Sequence, residues 1–287
     1  MPGQPILLAV TASLCFAGST FLSKLLGSGF YGTALHPLQV AHSRFAFGLL
    51  TAMLLFLVTR RHVVRPHWRL HLLRSTLGWL GIAILFTGVI YIPASDAVAL
   101  TFLNPIFAMM LAVLILRERV GKHRWAAAII AFCGGVLLIR PETAGMNPVA
   151  LLCLGGAAII GLEIVVIKML SSRENVFQIL LINNAMAAIV ATVPLFFTFE
   201  MPNATQWGAL VAVGVVMVTG QMLFLFAMRS SDASLVAPFI YATLIFVMLF
   251  DFGVLGVVPD LVSLAGAGII ITCGSYIAIR EHRQGTS

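Results

Sequence analysis

Ser95-Asp96-Ala97 and Ser231-Asp232-Ala233 each introduce a long apolar run near the end of one half of the chain. They are the clearest trace of an internal duplication. Leu7-Leu8 and Lys24-Leu25-Leu26 return as Leu151-Leu152 and Lys168-Met169-Leu170, offset by 144; the Ser-Asp-Ala strings are offset by 136. Cys133-Gly134 and Arg140 return as Cys273-Gly274 and Arg280, offset by 140. Matches in order along the chain, with small loop insertions to explain the drift, divide it into a first repeat, 1–143, and a second, 144–287.

The segments between these matches are membrane-length. Hydrophobic residues make up 60% of the 287, charged residues 9%, and the mean hydropathy is +1.05. A soluble domain carries roughly 25% charged residues, so water is not the main solvent of this surface. Ten apolar runs can be marked, at 6–26, 36–58, 71–92, 94–116, 125–139, 148–168, 177–199, 207–228, 234–256 and 261–279. Most reach the ~20 residues that a helix needs to span the hydrocarbon. The fifth is short, bounded by Arg124 and Arg140, and needs a thin region or snorkelling arginines. The expectation is an all-α integral membrane protein of ten transmembrane helices in two inverted five-helix repeats.

The charges orient it. With the N-terminus in the cytoplasm, the inside segments hold Arg60 to Arg74, Arg117 to Arg124, Lys168, Arg173, Arg229, Arg280 and Arg283, leaving only Lys24, Arg44 and Arg140 of the 17 bases elsewhere. Cytoplasmic loops carry the Lys/Arg excess, so both termini are expected inside. The net charge of +7 thus needs no nucleic-acid partner. Five helices per copy is odd, so the copies must face opposite ways. The segment after the fourth run carries Arg117, Arg119, Lys122 and Arg124, whereas its counterpart Gly256-Val257-Val258-Pro259-Asp260 carries no base. Inverted repeats of this kind characterise secondary transporters with a midplane site between the halves. The first run lacks a basic leader and reads as a retained helix. Cys15, Cys133, Cys153 and Cys273 all lie in apolar runs, without metal-ligand spacing; neither a metal nor a cofactor is expected.

Glu163 is the most informative single residue, an acid flanked by Ile159, Ile160, Ile164, Val165 and Val166. An intramembrane acid normally faces a cavity or a partner, which makes it a proton-carrier candidate; alternatively it reaches cytoplasmic water beside Lys168. Arg44 stands as the one base well inside a run, suited to a substrate carboxylate or phosphate or to a structural ion pair. His42 beside it is either titratable or a packing residue. Asn183 and Asn184 fall at the repeat-related depth of Arg44 and read as interhelical hydrogen-bonders or ligands. Lys24 and Lys168 read as snorkelling anchors, and Asp96 and Asp232, with their serines, as helix caps. Asp251 is either interfacial or cavity-facing. Pro105 and Pro238 interrupt the fourth and ninth runs; near them Phe102, Asn104, Phe239 and Tyr241 can line a cavity, as can Trp79, Phe86, Gln221 and Phe224. Ala127, Ala131 and Gly135 form a close-packing stripe. No HExxH, GxSxG, DDxxD or P-loop string occurs, which weakens the rival reading, a membrane-embedded enzyme acting on lipid or isoprenoid substrates.

The run Phe102-Leu103-Asn104-Pro105-Ile106-Phe107, then Leu116-Arg117-Glu118-Arg119, Arg124-Trp125 and Gly134-Gly135-Val136, resembles the fourth and fifth helices of the EamA branch of the drug/metabolite transporter superfamily. Gly220-Gln221, Ser234-Leu235-Val236-Ala237-Pro238, Tyr241, Gly256, Pro259 and Gly266 extend the resemblance over about residues 6 to 280. It implies alternating access around a cavity lined mainly by helices 1–4 and 6–9, with 5 and 10 peripheral. It also implies a basic residue in the second helix, matched by Arg44. An acid often follows the glycine at 256 in the family; here Val257 stands there. The expectation is a bacterial inner-membrane transporter, importer or exporter, of a small organic metabolite, coupled to protons or working by exchange, as a monomer or homodimer.

Overall fold

The computed structural model describes residues 3–59, 65–115, 117, 121–139, 147–171, 173–174, 176–230 and 242–285. Phe239, Tyr241, Pro238 and Asp232 lie outside the described residues, as does the Lys168 side chain. Every described element is a helix: α1 (Gly3–Gly27), α2 (Pro37–Thr59), α3 (Trp68–Tyr91), α4 (Ala94–Thr101), α5 (Asn104–Ile115), α6 (Lys122–Ile139), α7 (Pro148–Ser171), α8 (Val176–Thr198), α9 (Ala204–Ser230), α10 (Ala242–Leu255) and α11 (Leu261–Gly285). Among the described residues, 7 spans are long and apolar enough to cross a membrane, α4 and α5 together forming one of them. Ala242–Leu255 and Leu261–Cys273 are shorter apolar helices. In hydrocarbon a lone segment can satisfy its backbone only as a helix. Hydroxyls follow the same rule, with Thr11, Ser13, Thr87 and Thr219 donating to carbonyls four residues back in their own helices. Large apolar side chains such as Phe196, Phe197 and Leu261 point outward, where lipid is the solvent. The chain is a multi-pass membrane protein.

Helix pairing is dominated by α1 with α9, α3 with α7, α2 with α8, and α6 with α11. Glycines set the closest approaches. A Cβ on Gly214 would sit 2.8 Å from the Gly48 backbone nitrogen, and one on Gly161 2.8 Å from the Ala108 nitrogen. On α6 the contact runs through Gly134, where a Cβ would meet the Gly266 carbonyl oxygen at 3.0 Å, with Ala131 buried one turn earlier. Small residues at interfaces let backbones approach where no hydrophobic force drives helices together.

Polar contacts tie the two ends of the bundle differently. At the end where α1 finishes, the Gln39 side chain and the Glu200 backbone exchange hydrogen bonds of 2.8 and 2.9 Å. Asn203 Nδ2 donates to the Tyr31 carbonyl and Gln206 Nε2 to the Thr33 carbonyl. Beside them Lys24 Nζ lies 2.8 Å from Asp251 Oδ1, with both side chains buried. Lys24 is therefore an intramembrane ion-pair partner and not a snorkelling anchor: its stem is covered by protein. Asp251 Oδ2 also accepts from the Ala94 backbone N–H at 3.2 Å. Part of the capping expectation changes: Pro93, not Ser95, is the N-cap of α4 and makes no side-chain cap bond, while Asp96 lies in the first turn as expected; the Ala94 N–H goes to another helix.

At the opposite end the carboxylate of Glu174, in the α7–α8 connector, accepts from the His67 backbone N–H (2.7 Å), His67 Nδ1 (3.0 Å), His71 Nε2 (2.8 Å) and Gln178 Nε2 (2.8 Å). Burial alone would push this carboxyl up. The bonds from His71 and from the His67 backbone and ring outweigh it and hold the group below the usual carboxylate range.

The fourth run breaks where Pro105 makes it break. The chain turns at Phe102 and Leu103 between α4 and α5. Proline lacks the N–H that a continuous helix would send to the Thr101 carbonyl, and Asn104 Nδ2 donates to that oxygen instead, at 2.8 Å.

Two stability predictions follow from these ties. Lys24→Met leaves Asp251 buried without its counter-ion and should cost about 3–5 kcal/mol in detergent unfolding. Asp251→Asn in that background should recover part of the loss, because the amide oxygen still accepts from Ala94. Glu174, held down in the folded state, stabilises fully above the ordinary glutamate value of about 4.3 and loses that contribution as pH falls through the folded value. Glu174→Gln should therefore lower stability by about 2–3 kcal/mol at pH 7 and flatten the acid limb of a melting-temperature profile.

Candidate functional site

The helix break, the α1–α9 seam and the start of α10 border a partly open cavity of about 200 Å³. From α1 come Phe16, Ser19 and Thr20; from α2, Arg44; from α3, Ile82, Leu85 and Phe86. Val98, Thr101 and Phe102 supply the wall at the break, Met217 and Gln221 come from α9, and Thr243 from α10. Ser19 Oγ donates to the Val213 carbonyl at 3.0 Å and Thr101 Oγ1 to the Ala97 carbonyl at 2.9 Å, so their hydrogens are spent. Thr243 Oγ1 and Arg44 Nε are buried and have no hydrogen-bond partner among the described residues. The Arg44 guanidinium carbon lies 4.5 Å from the centroid of the Phe45 ring, a cation–π contact that orients the group without neutralising it.

Behind Arg44 stands a second polar layer. Glu163 does not reach out to water beside Lys168. It turns onto α3, where its Oε1 would lie 2.8 Å from a Cβ on Gly78; only a glycine leaves room for the carboxylate. Oε1 is 3.7 Å from Arg74 Nε, and Arg74 Nη1 donates to the Ile179 carbonyl at 3.0 Å. Arg44 acts on the same carboxylate electrostatically. Arg74 was expected as a cytoplasmic loop base and Arg44 as the one base inside a run. The structure buries both, together with Lys24. The signal was present, since Arg74 already lies inside the run 71–92.

The remaining predicted residues separate. Phe102 and Gln221 share the cavity with Arg44. Asn104 serves the helix break. His42 Nε2 pairs with Thr192 Oγ1 at 3.2 Å, a packing role between α2 and α8. Asn184 donates to the Leu180 carbonyl of its own helix, not across helices as expected, and its Oδ1 packs against Gly48. Asn183 is buried, its Oδ1 without a partner among the described residues. Trp79 packs with Phe45 and Ala187. Phe224 stacks edge-on against Phe16, ring centroids 6.4 Å apart. Sequence reasoning missed Ser19, Thr20, Thr101 and Thr243, because hydroxyls in an apolar helix look alike whether they line a cavity or bond their own backbone.

Comparison with known proteins agrees with this architecture. One solved crystal structure superposes with a TM-score of 0.62 at 19% identity, over 96% of this chain and 99% of that one, a likeness of fold. The chain is 27% identical to the pseudopaline exporter CntI of Pseudomonas aeruginosa, covering 98% of this chain and 97% of the relative. It is 30% identical to a riboflavin transporter of Vibrio cholerae (99% and 95%) and 25% identical to an S-adenosylmethionine uptake transporter of Rickettsia prowazekii (91% and 89%). The model of the EamA-like transporter family matches twice, over residues 4–140 and 147–279, and the chain belongs to that family.

Proposed function

We propose that this protein is a secondary transporter of a small organic metabolite in the bacterial inner membrane, working by alternating access between two inverted five-helix repeats, with both termini cytoplasmic. The observation that carries the proposal is the cavity lined by α1 to α4 from one proposed repeat and by α9 and α10 from the other. The pairing of helices supports the repeat. Exchanging each run with its counterpart five runs later turns α1–α9 into α7–α3 and α5–α7 into α10–α1, and leaves α2–α8 and α6–α11 unchanged; all of these pairs pack. The double match of the family model supports the same division. The relatives named as transporters of pseudopaline, riboflavin and S-adenosylmethionine support a metabolite cargo and a transport role without catalysis.

In the proposed cycle Arg44 anchors an anionic group of the substrate and Glu163 carries the coupling proton. Ser19 and Glu163 stand at the 144-residue offset that relates Lys24 to Lys168. Each faces the partner repeat's third helix, Ser19 at Val213 and Glu163 at Gly78. One copy thus keeps a neutral hydroxyl where the other places an ionisable acid. Protonating Glu163 removes the negative charge shared by Arg44 and Arg74 and strengthens the pull of Arg44 on an anion; deprotonation reverses it. Substrate and proton are linked through one guanidinium, as coupling requires.

A metabolite screen by thermal shift would supply the cargo for proteoliposome flux. Glu163→Gln should then abolish pH-driven accumulation, to less than a tenth of wild type, while counterflow exchange persists; unchanged pH-driven uptake removes Glu163 from the mechanism. Arg44→Lys keeps the charge but loses the planar fork, and should raise KM about tenfold, some 1.4 kcal/mol, with a smaller effect on the maximal rate.

A further inference from the structure

Taking the cavity as the transport site, we infer that its cargo is a small monocarboxylate with an apolar body of aromatic size, and that it discriminates against cations. Three observations on this chain point there together.

The first is a charge imbalance. Arg74 Nε lies 3.7 Å from Glu163, and Glu163 and Arg74 are the charged groups among the described residues that act on Arg44. With Glu163 ionised, this local group of three carries one more positive than negative charge. An uncompensated buried charge costs several kcal/mol, and a single anionic group in the cavity removes it. No described lining residue is acidic, so a cationic ligand would find repulsion from Arg44 and no counter-charge.

The second is a matched set of unused hydrogen-bonding atoms. Arg44 on α2 and Thr243 on α10 line the same cavity, and Arg44 Nε and Thr243 Oγ1 are buried without a partner among the described residues. Buried polar atoms are normally satisfied. A carboxylate at this wall would supply acceptors for both once the side chains turn to it.

The third is size and wall chemistry. The volume of about 200 Å³ falls below the roughly 300–1,000 Å³ typical of sites for drug-sized ligands, and Phe16, Phe86 and Phe102 form much of the wall. The space fits a single ring or a branched alkyl chain, not a multi-ring metabolite.

The test uses the purified full-length protein and three probes with the same phenyl body: 3-phenylpropionate, 3-phenylpropionamide and 3-phenylpropylammonium. In titrations by thermal shift and calorimetry the carboxylate should bind at least about tenfold more tightly than the amide, and the ammonium should not bind. Thr243→Val should weaken carboxylate binding roughly fivefold and leave the amide nearly unaffected. Arg44→Gln should erase the preference for carboxylate over amide; if that variant does not fold, the Thr243 comparison still decides. Equal or tighter binding of the amide or the ammonium overturns the inference, as does failure of all three probes at millimolar concentration. Counterflow with whatever metabolite a screen identifies separates the two readings. Counterflow of a neutral or cationic metabolite sinks the substrate class and keeps the transporter, while binding of 3-phenylpropionate without any flux does the reverse.

Discussion

Hydrocarbon offers a buried charge no solvent, so an ionised group inside this bundle depends on a partner, in the protein or in what it binds. With charged residues at only 9% of the chain, the few that lie inside determine where helices meet. Lys24 on α1 takes Asp251 on α10, Arg74 on α3 takes Glu163 on α7, and His71 on α3 takes Glu174 beyond α7. Each pair joins one proposed repeat to the other. Interfaces made of leucine, alanine and glycine slide at little cost because lipid tails solvate them as well as protein does. Ion pairs do not slide; they are made or broken. The same few contacts that hold the two halves in register are therefore the ones that any relative motion of the halves has to exchange.

The three clusters differ in how completely they are balanced, and that difference supports the proposed site. Glu174 accepts four hydrogen bonds within 3.0 Å, so nothing is left over for a ligand. Asp251 divides its oxygens between Lys24 and the Ala94 N–H, one charge against one charge. At Glu163 one carboxylate lies 3.7 Å from the Arg74 guanidinium and also feels the charge of Arg44. A balanced pair is structure; a surplus charge beside a cavity is an invitation to an ion. The cluster that is poorest as a strut is the one that borders open volume, a trade of stability for function of the kind expected at active sites.

Much of the architecture was legible in the sequence because it rests on length and hydropathy. The apolar runs located the helices, and Pro105 marked the break that forms the cavity wall. Arg44 and Glu163 stood out because each is a charge inside an apolar run. What was not legible depends on which way a side chain turns. Lys24 is near a helix end in sequence, where snorkelling is the default; only its packing against α10 shows that the ammonium turns inward to Asp251. Arg74 lies three residues into its run and reads as a boundary residue until Gly78, one turn on, is seen to make room for Glu163. Ser95 and Asp96 carry a cap signature, yet the cap of α4 comes from Asp251, 157 residues away, a distance across which no local motif can speak.

The clusters also constrain how the cavity can open. Thr20 lies one helical turn from Lys24, Val98 one turn from Ala94, and Thr243 about two turns from Asp251. The three elements clamped by the Lys24–Asp251–Ala94 contact therefore carry three sides of the cavity wall. At the other end His67, in the α2–α3 connector, and His71, on α3, are joined to the α7–α8 connector through Glu174. In the proposed alternating cycle the two closures are released in turn, and their chemistry sets different conditions for release. Release at one end frees a carboxylate from a lysine and a backbone N–H, and release at the other frees one from four donors, so the two closures differ in how many contacts have to part.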